Sequence, residues 1–205
     1  MSIPKIPVTT VILAGGRGSR IGGDKGLKSL HGRALLNWVF EAVRRDSEEI
    51  LISANGSQDA YAKFGYRVIA DKMPDWPGPL AGVEAALSIA QTQYVLSVPC
   101  DTPFLPDDLI PRLLESHISN TADASVAVVA GHRQPAIALY NINVLPRLRA
   151  FLDSGGRKVN DWLDSLQLSE VVFDKEREFD NINTQEDLAR VNQMTMKIRS
   201  GLEKT

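Results

Sequence analysis

Short apolar runs of five to seven residues alternate along this chain with longer stretches of helical spacing, and that alternation restricts the fold more than any other feature. It is the pattern of an open sheet with helices packed on both of its faces. The spacing predicts strands at about 8–14, 48–54, 66–70, 93–98, 124–130, 135–140 and 169–173. Helices are predicted near 33–45, 80–91, 106–118, 143–153, 158–166 and 184–198. The last of them opens at Asn183 or Thr184, with Glu186 and Asp187 as dipole-favouring residues in its first turn. The expected architecture is a three-layer α/β/α sandwich with a mostly parallel central sheet.

A chain of 205 residues fits one domain, and the Pro/Gly-dense stretch "MPDWPGPLAG" (73–82) is a connection within it rather than a boundary. The last stretch, "MTMKIRSGLEKT", carries no further core signal and is expected to fray. With 23 Lys and Arg against 25 Asp and Glu, the net charge of −2 gives no reason to expect a surface shaped for nucleic acid or acidic lipid. Any phosphate site must be local. The single cysteine, Cys100, excludes an internal disulfide and a cysteine-based zinc cluster. "MSIPKIPVTT" has no long apolar core, and no apolar run reaches the ~20 residues of a membrane span, so a cytoplasmic protein without a membrane partner is expected.

Ligands of such sheets sit beyond the carboxyl ends of the strands. Four runs place polar groups there: the glycine loop after "VILAGG", Ser53 and Asn55 after "ILISAN", Asp71 after "YRVIAD", and Asp101 after "YVLSVPCD". The loop "LAGGRGSRIGGDKG" (13–26) holds six glycines, two arginines and a lysine. It is not a Walker A loop, because Lys25 is followed by Gly26 rather than Ser or Thr. Nor is it a dinucleotide fingerprint: Ile21 stands at the third glycine, the next helix starts only near Arg33, and the second strand ends in Ala54-Asn55 rather than an acid. What remains is a long loop that wraps a polyphosphate with backbone N–H groups while Arg17, Arg20 and Lys25 neutralise it, or a flexible loop with solvated cations.

"LAGGRGSRIGGDKGL" resembles the L-A-[AG]-G-x-[SG]-x-R-[MIL]-G-x-x-K signature of Rossmann-like nucleotidyltransferases, the group that includes sugar-phosphate nucleotidylyltransferases. Gly15, where members using CTP more often carry Ala, makes it similar to the molybdenum cofactor guanylyltransferases. "VIAD", "DWPGPLAG", "PCDTPFLP", "QPAIALY", "GGRKVNDWL" and "FDNINTQEDL" match that family in the same order, so the resemblance spans nearly the whole chain. It implies the nucleotide-diphospho-sugar transferase type of sheet, a nucleotide-binding half at about 8–105 and a pterin-binding half at about 106–198. It further implies GTP as donor, molybdenum-molybdopterin as acceptor, Mg²⁺ (with Mn²⁺ as substitute), and contacts with other cofactor-biosynthesis proteins and recipient molybdoenzymes.

Carried onto this chain, the resemblance assigns nucleotide binding to Leu13, Ala14, Gly15, Gly16, Arg17, Lys25, Ser53, Asn55, Asp71, Gly78 and Asp101. Lys25, Arg20 and Asp101 become the catalytic groups, with Asp101 as metal ligand; without the resemblance, Asp101 before Thr102-Pro103 reads more often as a turn or capping residue. Asp71 either serves the nucleotide site or caps a turn. Gly82 either contacts phosphate at a helix start or lets that helix pack closely on the sheet. Ser53 departs from the family's Asn, and Gln134 stands where His is common, so no acid–base role transfers to it. Gly156, Arg157 and Lys158 resemble the pterin loop, the alternative being a glycine turn with solvated cations. Asn181 and Asn183 face the metal or the pterin, unless Asn183 only caps the last helix. Cys100 reads as a small buried residue, and His31, His117 and His132 as surface or loop residues. Trp38, Trp76 and Trp162 read as packing residues, Trp76 inside the site loop.

The chemistry implied needs few side chains. A phosphomonoester has its second pKa near ~6, so its oxygen attacks without a general base. The same first half would also serve a transferase acting on a sugar phosphate, or a non-catalytic GTP-binding module.

Overall fold

The computed structural model describes residues 6–15, 24–70, 78–184, 186–189 and 191. In chain order the strands are Val8–Leu13 (β1), Ser29–Leu30 (β2), Arg33–Ala34 (β3), Glu49–Ser53 (β4), Arg67–Ile69 (β5), Tyr94–Pro99 (β6), Ala124–Val129 (β7), His132–Asn141 (β8) and Leu168–Phe173 (β9). The helices are Leu35–Val43 (α1), Gln58–Ala62 (α2), Pro79–Leu87 (α3), Leu109–Ser119 (α4), Leu145–Asp153 (α5) and Val159–Asp164 (α6). No helix among the described residues is long and apolar enough to cross a membrane.

Seven strands form one sheet in the order β5-β4-β1-β6-β8-β7-β9. Every pairing is parallel except those of β8, which runs against both β6 and β7. β1 lies at the centre with Val8, Val11 and Ile12 fully buried, because both of its faces are covered. On one face Val8 and Ile12 pack with Leu36, Val39 and Phe40 of α1 and Leu109 and Leu113 of α4. On the other, Val11 packs with Leu80 and Val83 of α3, Leu148 and Leu152 of α5, and Trp162 of α6. This is the expected three-layer arrangement.

β8 begins earlier than its apolar residues suggest. Val129 pairs with His132 across a two-residue turn whose Ala130 and Gly131 both have positive φ, the geometry that matches strand twist in a tight hairpin. The register then slips between Val126 and Val128, so that residues 134–137 oppose Ala127 alone. The bulge admits Pro135 inside a central strand, where a missing N–H would otherwise cost a ladder bond. Ser97 Oγ donates to Ala136 O at 2.9 Å and so ties the bulge to β6.

Two local expectations are corrected and one element is new. The stretch from Arg33 begins as a β2–β3 hairpin, turning at His31 and Gly32 (φ 51° and 77°), and α1 starts only at Leu35. The short α2 had no sequence signal. His117 is buried, not a surface residue: it lies one turn beyond Leu113 on the inner stripe of α4, its ring edge-on to Tyr94 at 5.1 Å between centroids. The last predicted helix is helical at residues 186–189, and its remainder lies mostly outside the described residues.

Candidate active site

The chain passes from β1 to β4 and β5 on one side, then crosses back to place β6 on the other side of β1. Neighbouring loops diverge at such a point and open a crevice at the strands' carboxyl ends. A cleft lies there, lined by Leu13, Ala14 and Gly15 after β1, Ser53 at the end of β4, Pro99, Cys100 and Asp101 after β6, and Lys25. Gly78, Pro79 and Gly82 bring the first turn of α3 to the same cleft, and Ala136 adds the β8 bulge.

Lys25 and Asp101, 76 residues apart, form an ion pair of 3.0 Å in which the lysine side chain is 29 % and the carboxylate 12 % exposed. Lys25 Nζ also donates to Asn183 Oδ1 at 2.7 Å. Asn183 is brought there by its neighbour: the Ile182 amide donates to Asp101 O at 2.9 Å. The Ile182 side chain is buried in a small satellite core with Leu30 and Leu35, flanked by Trp38 and Phe104. Thr102 Oγ1, fully buried, donates to Asn181 Oδ1. Residues from the start, middle and end of the chain thus meet at one point.

The turn that carries Lys25 is fixed from behind. Gly26 is buried where a Cβ would lie 3.2 Å from the Tyr61 ring and 3.4 Å from Cys100 Cβ. Ser57 Oγ donates to the Asp24 carboxylate. Sequence reading found neither Asp24, Ser57 nor Tyr61; Gly26 beside Lys25 was the one available signal. Cys100 is inert: burial first, and the Asp101 charge second, push its thiol up to about 12.

Three glycines have different reasons to be glycine. Gly78, with φ 85°, caps α3 ahead of Pro79 in a backbone conformation that other residues rarely adopt. Gly82 packs where a Cβ would lie 2.5 Å from Ser53 Oγ and 2.9 Å from Leu13 Cδ2, so close helix–sheet approach explains it, while it also lines the cleft. Gly15 is exposed and has ordinary space for a methyl group, 3.8 Å from Ser53 O and 4.0 Å from Asn55 N. Asn55 is exposed at the same mouth.

The segment after α5 ends in a Schellman cap, with Gly155 at φ 91° and the amides of Gly155 and Gly156 donating to Leu152 O and Phe151 O. Arg157 Nη1 donates to Leu152 O and Gly156 O, which holds the guanidinium against this cap. The Arg157 carbonyl lies 3.9 Å from where a Cβ on Gly78 would sit, so the cap borders the α3 side of the cleft, and Lys158 beside it is exposed. Gln134 is half-buried in the β8 bulge. Gly16, Arg17, Arg20, Asp71 and Trp76 lie outside the described residues. Among the described residues no three His, Cys, Asp or Glu side chains converge as a metal cluster. Asp101 Oδ2 and Asn183 Oδ1 nevertheless point at one spot, a hard-oxygen set suited to a cation that takes its other ligands from phosphate and water.

A sheet reversing at β1, a glycine loop leaving it, and a lysine–carboxylate pair at the strand ends define a nucleotidyltransferase of the Rossmann-like kind. Residues 10–170 match the MobA-like NTP transferase domain, and the chain belongs to that family. Over 192 residues it is 41 % identical to a molybdenum cofactor guanylyltransferase of Cupriavidus pinatubonensis, covering 91 % of this chain and 96 % of that protein. A molybdenum cofactor guanylyltransferase of Vibrio parahaemolyticus is 43 % identical over 186 residues, covering 90 % and 94 %. The crystal structure of molybdopterin-guanine dinucleotide biosynthesis protein A from Archaeoglobus fulgidus superposes with a TM-score of 0.75 at 25 % identity, covering 92 % of this chain and 99 % of that one.

Proposed function

We propose that this protein transfers GMP from GTP to the phosphate of molybdenum-molybdopterin, releasing pyrophosphate and forming the guanine dinucleotide form of the cofactor. The observation that carries this reading is the meeting of Lys25, Asp101 and Asn183 close to Gly15 at the β1/β6 crevice. The likeness to named guanylyltransferases over some nine-tenths of the chain supports the choice of donor and acceptor.

An oxygen of the acceptor phosphate attacks the α-phosphorus of GTP, and the bond from that phosphorus to the bridging oxygen of the leaving pyrophosphate breaks. No base is needed, since a phosphomonoester is largely dianionic at neutral pH. What the site must supply is positioning of two anions and neutralisation of their repulsion. The triphosphate lies along the Leu13–Gly16 backbone and the first turn of α3 from Gly78, with Lys25, Arg17 and Arg20 on its charge. Ser53, Asn55 and Asp71 border the nucleoside. Asp101, with Asn183, would hold Mg²⁺ or, in its place, Mn²⁺, and the ion would supply charge neutralisation on the phosphates. The acceptor enters from the second half, about 106–198, with Gln134, Gly156, Arg157, Lys158 and Asn181 as its binding residues beside Gly82, which lines the cleft. The reaction runs in the cytoplasm, where other cofactor-biosynthesis proteins deliver the acceptor and molybdoenzymes take the product.

Pyrophosphate release with molybdenum-molybdopterin and each of the four nucleoside triphosphates tests donor and acceptor together. Release with GTP alone is expected. Faster release with CTP overturns the donor, and release with a hexose 1-phosphate in place of the pterin overturns the acceptor.

A further inference from the structure

The Lys25 ammonium is seated between the two oxygen atoms best suited to hold a divalent cation, 3.0 Å from Asp101 Oδ2 and 2.7 Å from Asn183 Oδ1. A carboxylate oxygen and a carboxamide oxygen converging on one point is hard-cation donor chemistry, and the chain's own ammonium lies at that point. The carboxylate is only 12 % exposed, so water alone would leave its charge poorly solvated without a partner. We propose that Lys25 is a resident counter-cation that occupies these oxygens in the nucleotide-free protein and releases them only to a triphosphate, so that metal and nucleotide enter as one unit. The inference rests on the nucleotidyl-transfer reading, because it needs a polyphosphate to draw the lysine away.

The surroundings restrict the exchange to one side chain. Gly26 is wedged between Tyr61 and Cys100, and Asp24 is held by Ser57, so the backbone around Lys25 is anchored. The Ile182 amide on Asp101 O fixes Asn183, so both oxygens stay in place when the ammonium leaves. Lysine suits such a role, being a compact point charge on a stem of four rotatable bonds, able to swing from a carboxylate to a phosphate. While it remains, a divalent ion at the same oxygens meets a positive charge within a few ångströms, and metal binding without nucleotide is suppressed.

Mn²⁺ binding followed by electron paramagnetic resonance, with no nucleotide present, reads this directly. Lys25→Met is expected to bind one Mn²⁺ at least about tenfold more tightly than the wild type, Lys25→Arg to stay as weak as the wild type, and Lys25→Met with Asp101→Asn to lose the gain. Equal Mn²⁺ affinity in the wild type and Lys25→Met overturns the proposal, as does tight binding by Lys25→Arg. Adding α,β-methylene GTP to the wild type should recruit Mn²⁺. Failure of that arm alone, with the Lys25→Met gain intact, refutes the triphosphate reading of the cleft and leaves the counter-cation in place.

Discussion

Gly82 shows how one missing side chain shapes the cleft. A Cβ there would lie 2.5 Å from Ser53 Oγ, 2.9 Å from Leu13 Cδ2 and 3.1 Å from Ser53 Cβ, so the Ser53 and Leu13 side chains must turn aside or α3 must shift to admit it. Gly82→Ala is therefore expected to destabilise the fold by about 1–3 kcal/mol, the usual cost of overpacking. It should also raise KM for GTP, since Leu13 and Ser53 line the same cleft. An unchanged urea midpoint with unchanged KM contradicts this role. The sequence marked Gly78 and Gly82 together in "WPGPLAG" without separating their reasons. One is a positive-φ cap and the other a contact with a strand 29 residues earlier, which no local pattern encodes. The same contact bears on Ser53, whose hydroxyl lies close against Gly82.

At the scale of elements, the seven sheet strands were legible because each is a short apolar run bounded by polar or turn residues. The β2–β3 hairpin was not, since two residues a side are too few to show alternation. It nevertheless helps to hold a late segment: Leu30 of the hairpin and Leu35 at the start of α1 pack with Ile182, and Ile182 positions Asn183 beside Lys25. Ile182→Ala is expected to cost about 2–5 kcal/mol in the packing of this satellite core. The exposed consequence is local. Hydrogen exchange at the Ile182 amide, bonded to Asp101 O, should accelerate while amides of β1 and β6 keep their protection; uniform loss of protection would show that the satellite core is not a separate unit.

Across the whole molecule, pH acts through a group far from the chemistry. His117 sits on α4 against Tyr94, both ring nitrogens buried, and burial holds its pKa below the ordinary 6.5, the Asp123 charge only partly opposing. The unfolded chain therefore binds this proton before the folded one does. The stabilisation is complete above about pH 6.5 and is lost as pH falls from there toward the folded-state value. Burial pushes the Asp123 carboxyl up, but the Gln167 amide and Arg147 outweigh that and hold it low, so its own loss begins only near pH 3.8. His117→Phe should flatten the fall in urea midpoint between pH 7 and pH 5, and parallel profiles for the two proteins would remove His117 as its cause. Here the helical period was readable, but a histidine at an inward position reads as polar until the neighbouring strand is known.

By itself the sequence determined the strands, most helices and the layered class, because periodicity is a property of neighbouring residues, while Gly15, Lys25 and Asp101 stood out through motifs that resemble the family's. Only the tertiary structure decided that Asn183 joins Lys25 and Asp101, that Gly82 is a packing glycine, that Arg157 is tied to a helix cap, and that His117 is interior. Each of these depends on contacts between segments distant along the chain, and such contacts are fixed by close packing of the whole rather than by any local pattern.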